Sequence, residues 1–142
     1  MSAENKAIAR RLVEEAFNEG KLEVVDELAA PGIVSHDSAL PEPLVGIDAT
    51  KASISAYRGA FPDLRLTVEE QIAEGDLVVT RWTARGTHQG ELMGMAPTGK
   101  EATVTGITID RLENGRIAES RTNWDSLGLM QQLGAVPALA LA

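Results

Sequence analysis

The chain has no cysteine among its 142 residues, which excludes disulfides and thiolate-held metals and leaves the redox compartment open. Histidine is nearly as scarce, His36 and His88 being the only two. Zinc takes three or four protein ligands, so two histidines far apart in sequence make a poor centre and no metal is expected. Positive charge is also short, with 13 Lys and Arg against 21 Asp and Glu and a formal net charge of −8. Neither a phosphate backbone nor an anionic lipid surface would attract such a chain, so no nucleic acid and no membrane is expected as partner. No apolar run approaches the ~20 residues that span a bilayer. The opening MSAENKAIARRLVEE lacks the pattern of a secretion signal. A cytoplasmic protein is the expectation.

What is present includes a near match to a nucleotide-binding loop. Residues 94–100 read GMAPTGK, a G-x-x-x-x-G-K run, but the next residue is Glu101. A phosphate loop needs a hydroxyl there to hold Mg²⁺, and a helix to follow. A carboxylate repels phosphate, and EATVTGITIDRL alternates polar and apolar residues as a strand does. Pro97 removes one N–H from the would-be cradle. The nucleotide reading fails, and no cofactor is expected.

The N-terminal part has helical texture. Ser2 is suited to cap a first helix with Ile8, Leu12, Ala16 and Phe17 on one buried face, and Asn18-Glu19-Gly20 to end it. KLEVVDELAA reads as a short second helix stopped by Pro31-Gly32. A third starts near Asp48 as cap, carries Ile47, Ile54, Tyr57 and Phe61 toward the core, and is closed by Pro62. From there LRLTVEEQIAE, LVVTRWTARGTH, KEATVTGITIDRL and RIAESRTNW alternate with a period of two. Glu74-Gly75-Asp76 and Asn114-Gly115 are tight turns between them. DSLGLMQQL reads as a last short helix, followed by an apolar tail, GAVPALALA, suited to a neighbouring subunit or to fraying. Helices followed by antiparallel strands is the α+β arrangement, and residues 1–142 read as a single domain. A sheet curling over a helical layer makes a cone whose mouth is a natural ligand site.

Alternation sorts the strand residues into faces. Val78, Thr80, Trp82, Ala84, Gly86 and His88 share one side, suited to a concave face; Arg81 and Arg85 share the other, suited to solvent or a subunit contact. Val104, Gly106, Thr108 and Asp110 form another set, and Ser120, Thr122 and Trp124 a third. Asp125 opens the last helix and suits a capping role as well as a catalytic one. Either histidine fits a hydrogen-bonded structural role or a place in the pocket. Met93 and Met95 on a glycine-rich connection make an adaptable apolar surface, the expected lid over a ligand.

The run GTHQGELMGMAPTGKEATVTGITIDRLENGRIAESRTNWDSLGLMQQLG, supported by NKAIARRLVEEAFNEGKLEVVDELAAPGIVSHD and AFPDLRLTVEEQIAEGDLVVTRWTARGTHQG, resembles the SnoaL-like polyketide cyclases, or ester cyclases, of the NTF2-like superfamily. The resemblance covers nearly the whole chain and implies an NTF2-like cone, a curved antiparallel sheet wrapped around N-terminal helices, often paired as a homodimer through the sheet. It also implies ring closure by intramolecular aldol condensation of a polyketide ester, without metal or cofactor. In the family an aspartate on the last strand takes the α-proton, and polar groups on the neighbouring strand hold the enolate oxygen. Here Thr122 stands where that aspartate is expected, and Gly106 and Thr108 stand where a glutamine and a histidine are expected.

A threonine hydroxyl is far too weak an acid to supply a base near neutral pH. Two readings follow. In one the protein is a cofactor-independent cyclase of lyase or isomerase type on a small hydrophobic carbonyl compound, with Asp125, His36 or His88 as base. Phe17, Trp82, Met93, Met95, Thr108, Thr122 and Trp124 then form the pocket. In the other it is a non-catalytic module for an apolar metabolite, or a dimerising scaffold. A third arrangement, the Asp-Arg-Asp set of epoxide hydrolases in the superfamily, would need Asp110, Arg121 and Asp125 together. Parity puts Arg121 on the side away from Thr122 and Trp124.

Overall fold

The computed structural model describes residues 2–137, so residues 138–142 of the apolar tail lie outside it. In chain order the elements are α1 (Ser2–Arg11), a π-helical continuation (Leu12–Asn18), α2 (Glu23–Leu28), β1 (Ala29–Asp37), β2 (Leu44–Val45) and α3 (Ile47–Ala60). There follow β3 (Arg65–Glu74), β4 (Leu77–Thr87), β5 (Glu101–Glu113), β6 (Arg116–Trp124) and α4 (Ser126–Leu133). The strands form one curved, open sheet in the order β2-β1-β6-β5-β4-β3.

The four long strands match their alternating segments almost residue for residue. Asn114 and Gly115 both take positive φ, 53° and 75°, as the tight turn between β5 and β6 requires. On β4, Val78, Thr80, Trp82, Ala84 and Gly86 are all buried. Their cross-strand partners on β5 are Asp110, Thr108, Gly106, Val104 and Ala102. The opposite face carries Arg81, Arg85, Ile107 and Ile109 and is exposed. Register slips within β3 (Val68/Glu70) and between β5 and β6 (Arg111/Leu112) add curvature that uniform pairing would not give.

Four expectations fail. Pro31-Gly32 does not stop the chain after α2 but lies inside β1, where the pairing with β6 slips between Ala29 and Val34. A proline that cannot donate is tolerated at such an irregularity. Because β1 runs parallel to β6, the sheet is not wholly antiparallel. The third helix begins one residue before Asp48, with Gly46 at the cap position and φ 94°, so Asp48 sits in the first turn. Ser2 likewise lies within α1.

The helical layer is fastened at its C-terminal end. Gly20 takes φ 71° after the π-helical turn. The carbonyls of Phe17 and Asn18, left without helical partners, accept from the Arg58 guanidinium on α3. The Asn18 amide pairs with both backbone groups of Leu66, donating to its carbonyl at 2.8 Å and accepting from its N–H at 2.7 Å. The helices are thereby held to the edge of the sheet over its concave face. One apolar cluster joins α1, α2, β1 and α3, including Ala9, Val25, Leu28, Ile33 and Ile54. A second gathers Phe61, Leu66, Trp82, Val104, Leu92 and Leu129.

Candidate functional site

Between helices and sheet lies a cavity of about 180 Å³ whose wall draws on both clusters. An engineered apolar cavity of about 150 Å³ takes benzene, so the space suits one substituted ring, with the remainder of a larger ligand outside. Phe17, Trp82, Thr108, Thr122 and Trp124 stand on its wall. Met93 and Met95 do not, and no residue from 89 to 99 does. The expected methionine lid is corrected by backbone contacts that parity cannot reveal. The N–H groups of Gln89 and Gly90 both donate to the carbonyl of Ala60, at 3.0 and 3.1 Å. Gly90 presses so close that a Cβ there would lie 2.1 Å from the Gly59 oxygen. Leu92 is thereby buried in the second cluster, Met95 packs beside it, and Met93 is left 52% exposed.

The polar part of the wall is built from three strands. The indole N–H of Trp82 on β4 donates to Thr108 Oγ1 on β5 at 3.0 Å. Thr108 Oγ1 lies 2.9 Å from Thr122 Oγ1 on β6. The two hydroxyls have two protons and one mutual bond, so one O–H is left over to donate on the cavity wall. The Trp82 N–H polarises Thr108 toward passing its own proton on, which leaves the Thr122 hydroxyl as the outer donor.

Asp37, at the end of β1, is a site residue that the sequence pattern does not reveal, because Pro31-Gly32 hides β1. It lines the cavity. Its Oδ1 accepts from Trp124 Nε1 and from the Ala39 N–H, both at 2.8 Å, and its Oδ2 accepts from the Tyr57 hydroxyl at 2.9 Å. Tyr57 and Trp124 meet edge to face, with ring centroids 6.0 Å apart. Burial, reinforced by the Asp37 charge and hydrogen bond, raises the Tyr57 phenol well above its ordinary value.

Asp110 on β5 is 3% exposed and also lines the cavity. Its Oδ1 has no hydrogen-bond partner. Burial pushes its carboxyl up to about 6, against a smaller opposing pull from Ser120.

The three residues expected as bases are separated. Asp125 is the N-cap of α4, its Oδ1 accepting from the Gly128 N–H at 2.8 Å, and it is not on the cavity wall. His88 is fully buried off that wall. Its Nδ1 accepts from the Thr98 N–H at 3.1 Å, which places the proton of the neutral ring on Nε2. His36 borders the cavity, but it follows the outward parity of β1, and its Nε2 lies 3.0 Å from Glu119 Oε2. That contact, first among several, holds the Glu119 carboxyl below the usual range. Arg121 pairs with the same carboxylate at 3.1 Å on the outer face, so Asp110, Arg121 and Asp125 do not converge. Among the described residues no group of three or more His, Cys, Asp and Glu is placed to hold a metal ion, and no helix is long and apolar enough to cross a membrane.

Known proteins resemble this chain in sequence and fold. The aklanonic acid methyl ester cyclase DnrD of Streptomyces peucetius is 33% identical over 133 residues, covering 89% of this chain and 88% of that protein. The nogalonic acid methyl ester cyclase of Streptomyces nogalater is 28% identical over 120 residues, covering 84% and 90%. A solved structure from Jannaschia sp. CCS1, assigned as a SnoaL-like polyketide cyclase, superposes with a TM-score of 0.88 at 28% identity over 96% of this chain and 95% of that one. Residues 7–133 match the family model for the SnoaL-like polyketide cyclases, and the chain belongs to that family.

Proposed function

We propose that this protein closes a ring in a polyketide-derived methyl ester by an intramolecular aldol reaction that needs no cofactor. The observation that carries the reading is the chain from Trp82 Nε1 through Thr108 to Thr122, which presents one unspent hydroxyl proton on the wall of the cavity. A preorganised donor in a site shielded from water stabilises negative charge as it develops on a carbonyl oxygen. An enolate forms when an α-proton leaves, and its oxygen is where that charge collects. The enolate carbon then attacks a second carbonyl of the same molecule. The product is an isomer of the substrate, since nothing is added or lost.

Aklanonic acid methyl ester, the compound in the names of several relatives, is the first substrate to try. The expected result is a product of unchanged mass with altered retention and absorbance. Thr122→Val, which keeps the shape and removes the donor, is expected to lower kcat by about 10²-fold, the scale of a lost oxyanion donor. Equal turnover by the valine variant would remove this reading. Tight binding without any product would favour the alternative, a module that only holds the metabolite.

The outer face of the sheet suits a homodimer. Ile72, Ile107 and Ile109 are 59%, 46% and 38% exposed, and Val79 pairs with both Ile72 and Ile109. Sedimentation of Ile107→Lys against the parent chain tests it, with a shift toward monomer expected.

A further inference from the structure

We infer that Asp110 is the general base of this reaction, the group that takes the α-proton. The inference rests on the cyclase reading, but it is carried by a different set of observations. Every other ionisable candidate is engaged or misplaced. Asp125 caps a helix away from the cavity. His88 is off the wall, and the His36 ring reaches Glu119. Asp37 is on the wall, but its two oxygens already accept three hydrogen bonds. Arg85 borders the cavity, but its side chain lies on the exposed outer face, 3.4 Å from Glu101, and a guanidinium accepts no proton. Asp110 is the wall carboxylate with an oxygen that no donor occupies.

Its position relative to the hydroxyl pair supports the role. Thr108 and Asp110 are two residues apart on β5 and share the concave face, so their α-carbons are about 7 Å apart along the strand. Thr122 is paired with Thr108, and Ser120 with Asp110, across β5 and β6, so a carbonyl oxygen held by the Thr122 hydroxyl would direct its α-carbon along the strands toward the carboxylate. The surrounding wall is largely apolar, with Ile33 and Ile54 among its residues. A carboxylate poor in donors there is a stronger base than one in water. Its raised pKa agrees with this placement.

The step balances without any further reactant. An Asp110 oxygen forms an O–H bond as the substrate C–H bond breaks, and the electron pair moves onto the carbonyl oxygen facing Thr122. When the enolate carbon bonds to the acceptor carbonyl, the new alkoxide takes the proton back from Asp110. The carboxylate is regenerated.

The test uses the whole chain and aklanonic acid methyl ester, with affinity read from quenching of tryptophan fluorescence and turnover from product. Asp110→Asn is expected to bind within threefold of the parent and to lose on the order of 10²- to 10⁴-fold in kcat. Asp110→Ala is expected to be inactive alone and to regain turnover as formate is added, a response that a purely structural carboxylate would not produce. If the asparagine variant does not fold, formate rescue of the alanine variant decides. Turnover by Asp110→Asn within tenfold of the parent, or a folded, ligand-binding Asp110→Ala that formate does not restore, overturns the assignment while the Thr122 result upholds the cyclase. No binding and no product from the parent chain would overturn both.

Discussion

The indole of Trp82 packs against the α-carbon of Gly106, so closely that a Cβ at position 106 would stand 2.3 Å from the ring. The two residues face each other across β4 and β5, and only the missing side chain lets the ring pass to Thr108. Gly106→Ala is therefore expected to push Trp82 aside and break its 3.0 Å bond to Thr108. Overpacking of this kind costs about 1–3 kcal/mol, measurable by urea unfolding. The relay loses its first donor as well, so a fall in kcat larger than the fall in folded fraction should accompany it.

Asp125 gives the opposite pattern. Its carboxylate closes over the first turn of α4, and Gly128 is needed there, since a Cβ would meet Asp125 Oδ2 at 2.1 Å. Asp125→Ala removes the cap and is expected to cost about 1 kcal/mol with turnover per folded molecule unchanged. A rate loss beyond the stability loss would return Asp125 to the list of bases.

The contrast between these two residues shows where sequence reading succeeds. Segments with strict alternation and glycine turns, β3 to β6, are legible because each strand repeats one simple rule and has one face to hide. That rule sorts Trp82, Thr108, Thr122 and Trp124 into face sets, and the register of β4, β5 and β6 brings those sets to one wall. It fails where a contact distant in sequence decides. Pro31-Gly32 looks like a stop, yet a slip in the pairing with β6 absorbs it, and with β1 unseen Asp37 had no place in the site. Met93 and Met95 look like a lid until Gln89 and Gly90 are found bonded to Ala60. The missing side chain of Gly90 serves close docking on the end of α3. Parity puts Asp110 on the same face as Thr108, but no pattern in sequence shows that this face looks inward or that one of the carboxylate oxygens lacks a donor.

Asp37 should prove to be the organiser of the aromatic pair. Asp37→Ala leaves the Tyr57 hydroxyl and the Trp124 indole N–H without their acceptor. Each buried donor so stranded costs about 1–3 kcal/mol, so a large drop in melting temperature is expected, with a smaller one for Tyr57→Phe. Tyr57 is the only tyrosine, so alkaline difference absorbance reports it alone. In the parent chain it should ionise above the ordinary phenol value, since burial and the Asp37 charge both oppose the anion. Replacing Asp37 removes one of those causes, and the midpoint should move down. An unchanged midpoint would mean that burial alone sets it.

The pH dependence of stability isolates Asp110. Its carboxyl titrates near 3.8 in a solvated chain and is raised to about 6 in the folded one. The folded state therefore binds this proton more tightly than the unfolded state does. The favourable contribution is complete below 3.8, fades as pH rises through 6, and is absent above it. The displacement corresponds to on the order of 3 kcal/mol. Asp110→Asn carries no titrating group at this position. Relative to the parent it should gain stability between pH 4 and pH 7.5, by about that amount. Urea unfolding of both proteins at the two pH values measures the difference of differences, in which the common effects of other carboxylates cancel. A gain in the neutral range together with a loss of turnover would mean that the buried charge is kept at the expense of stability for what it does to the substrate. A difference that does not change with pH would mean that Asp110 titrates alike in the folded and unfolded chain, contrary to its burial.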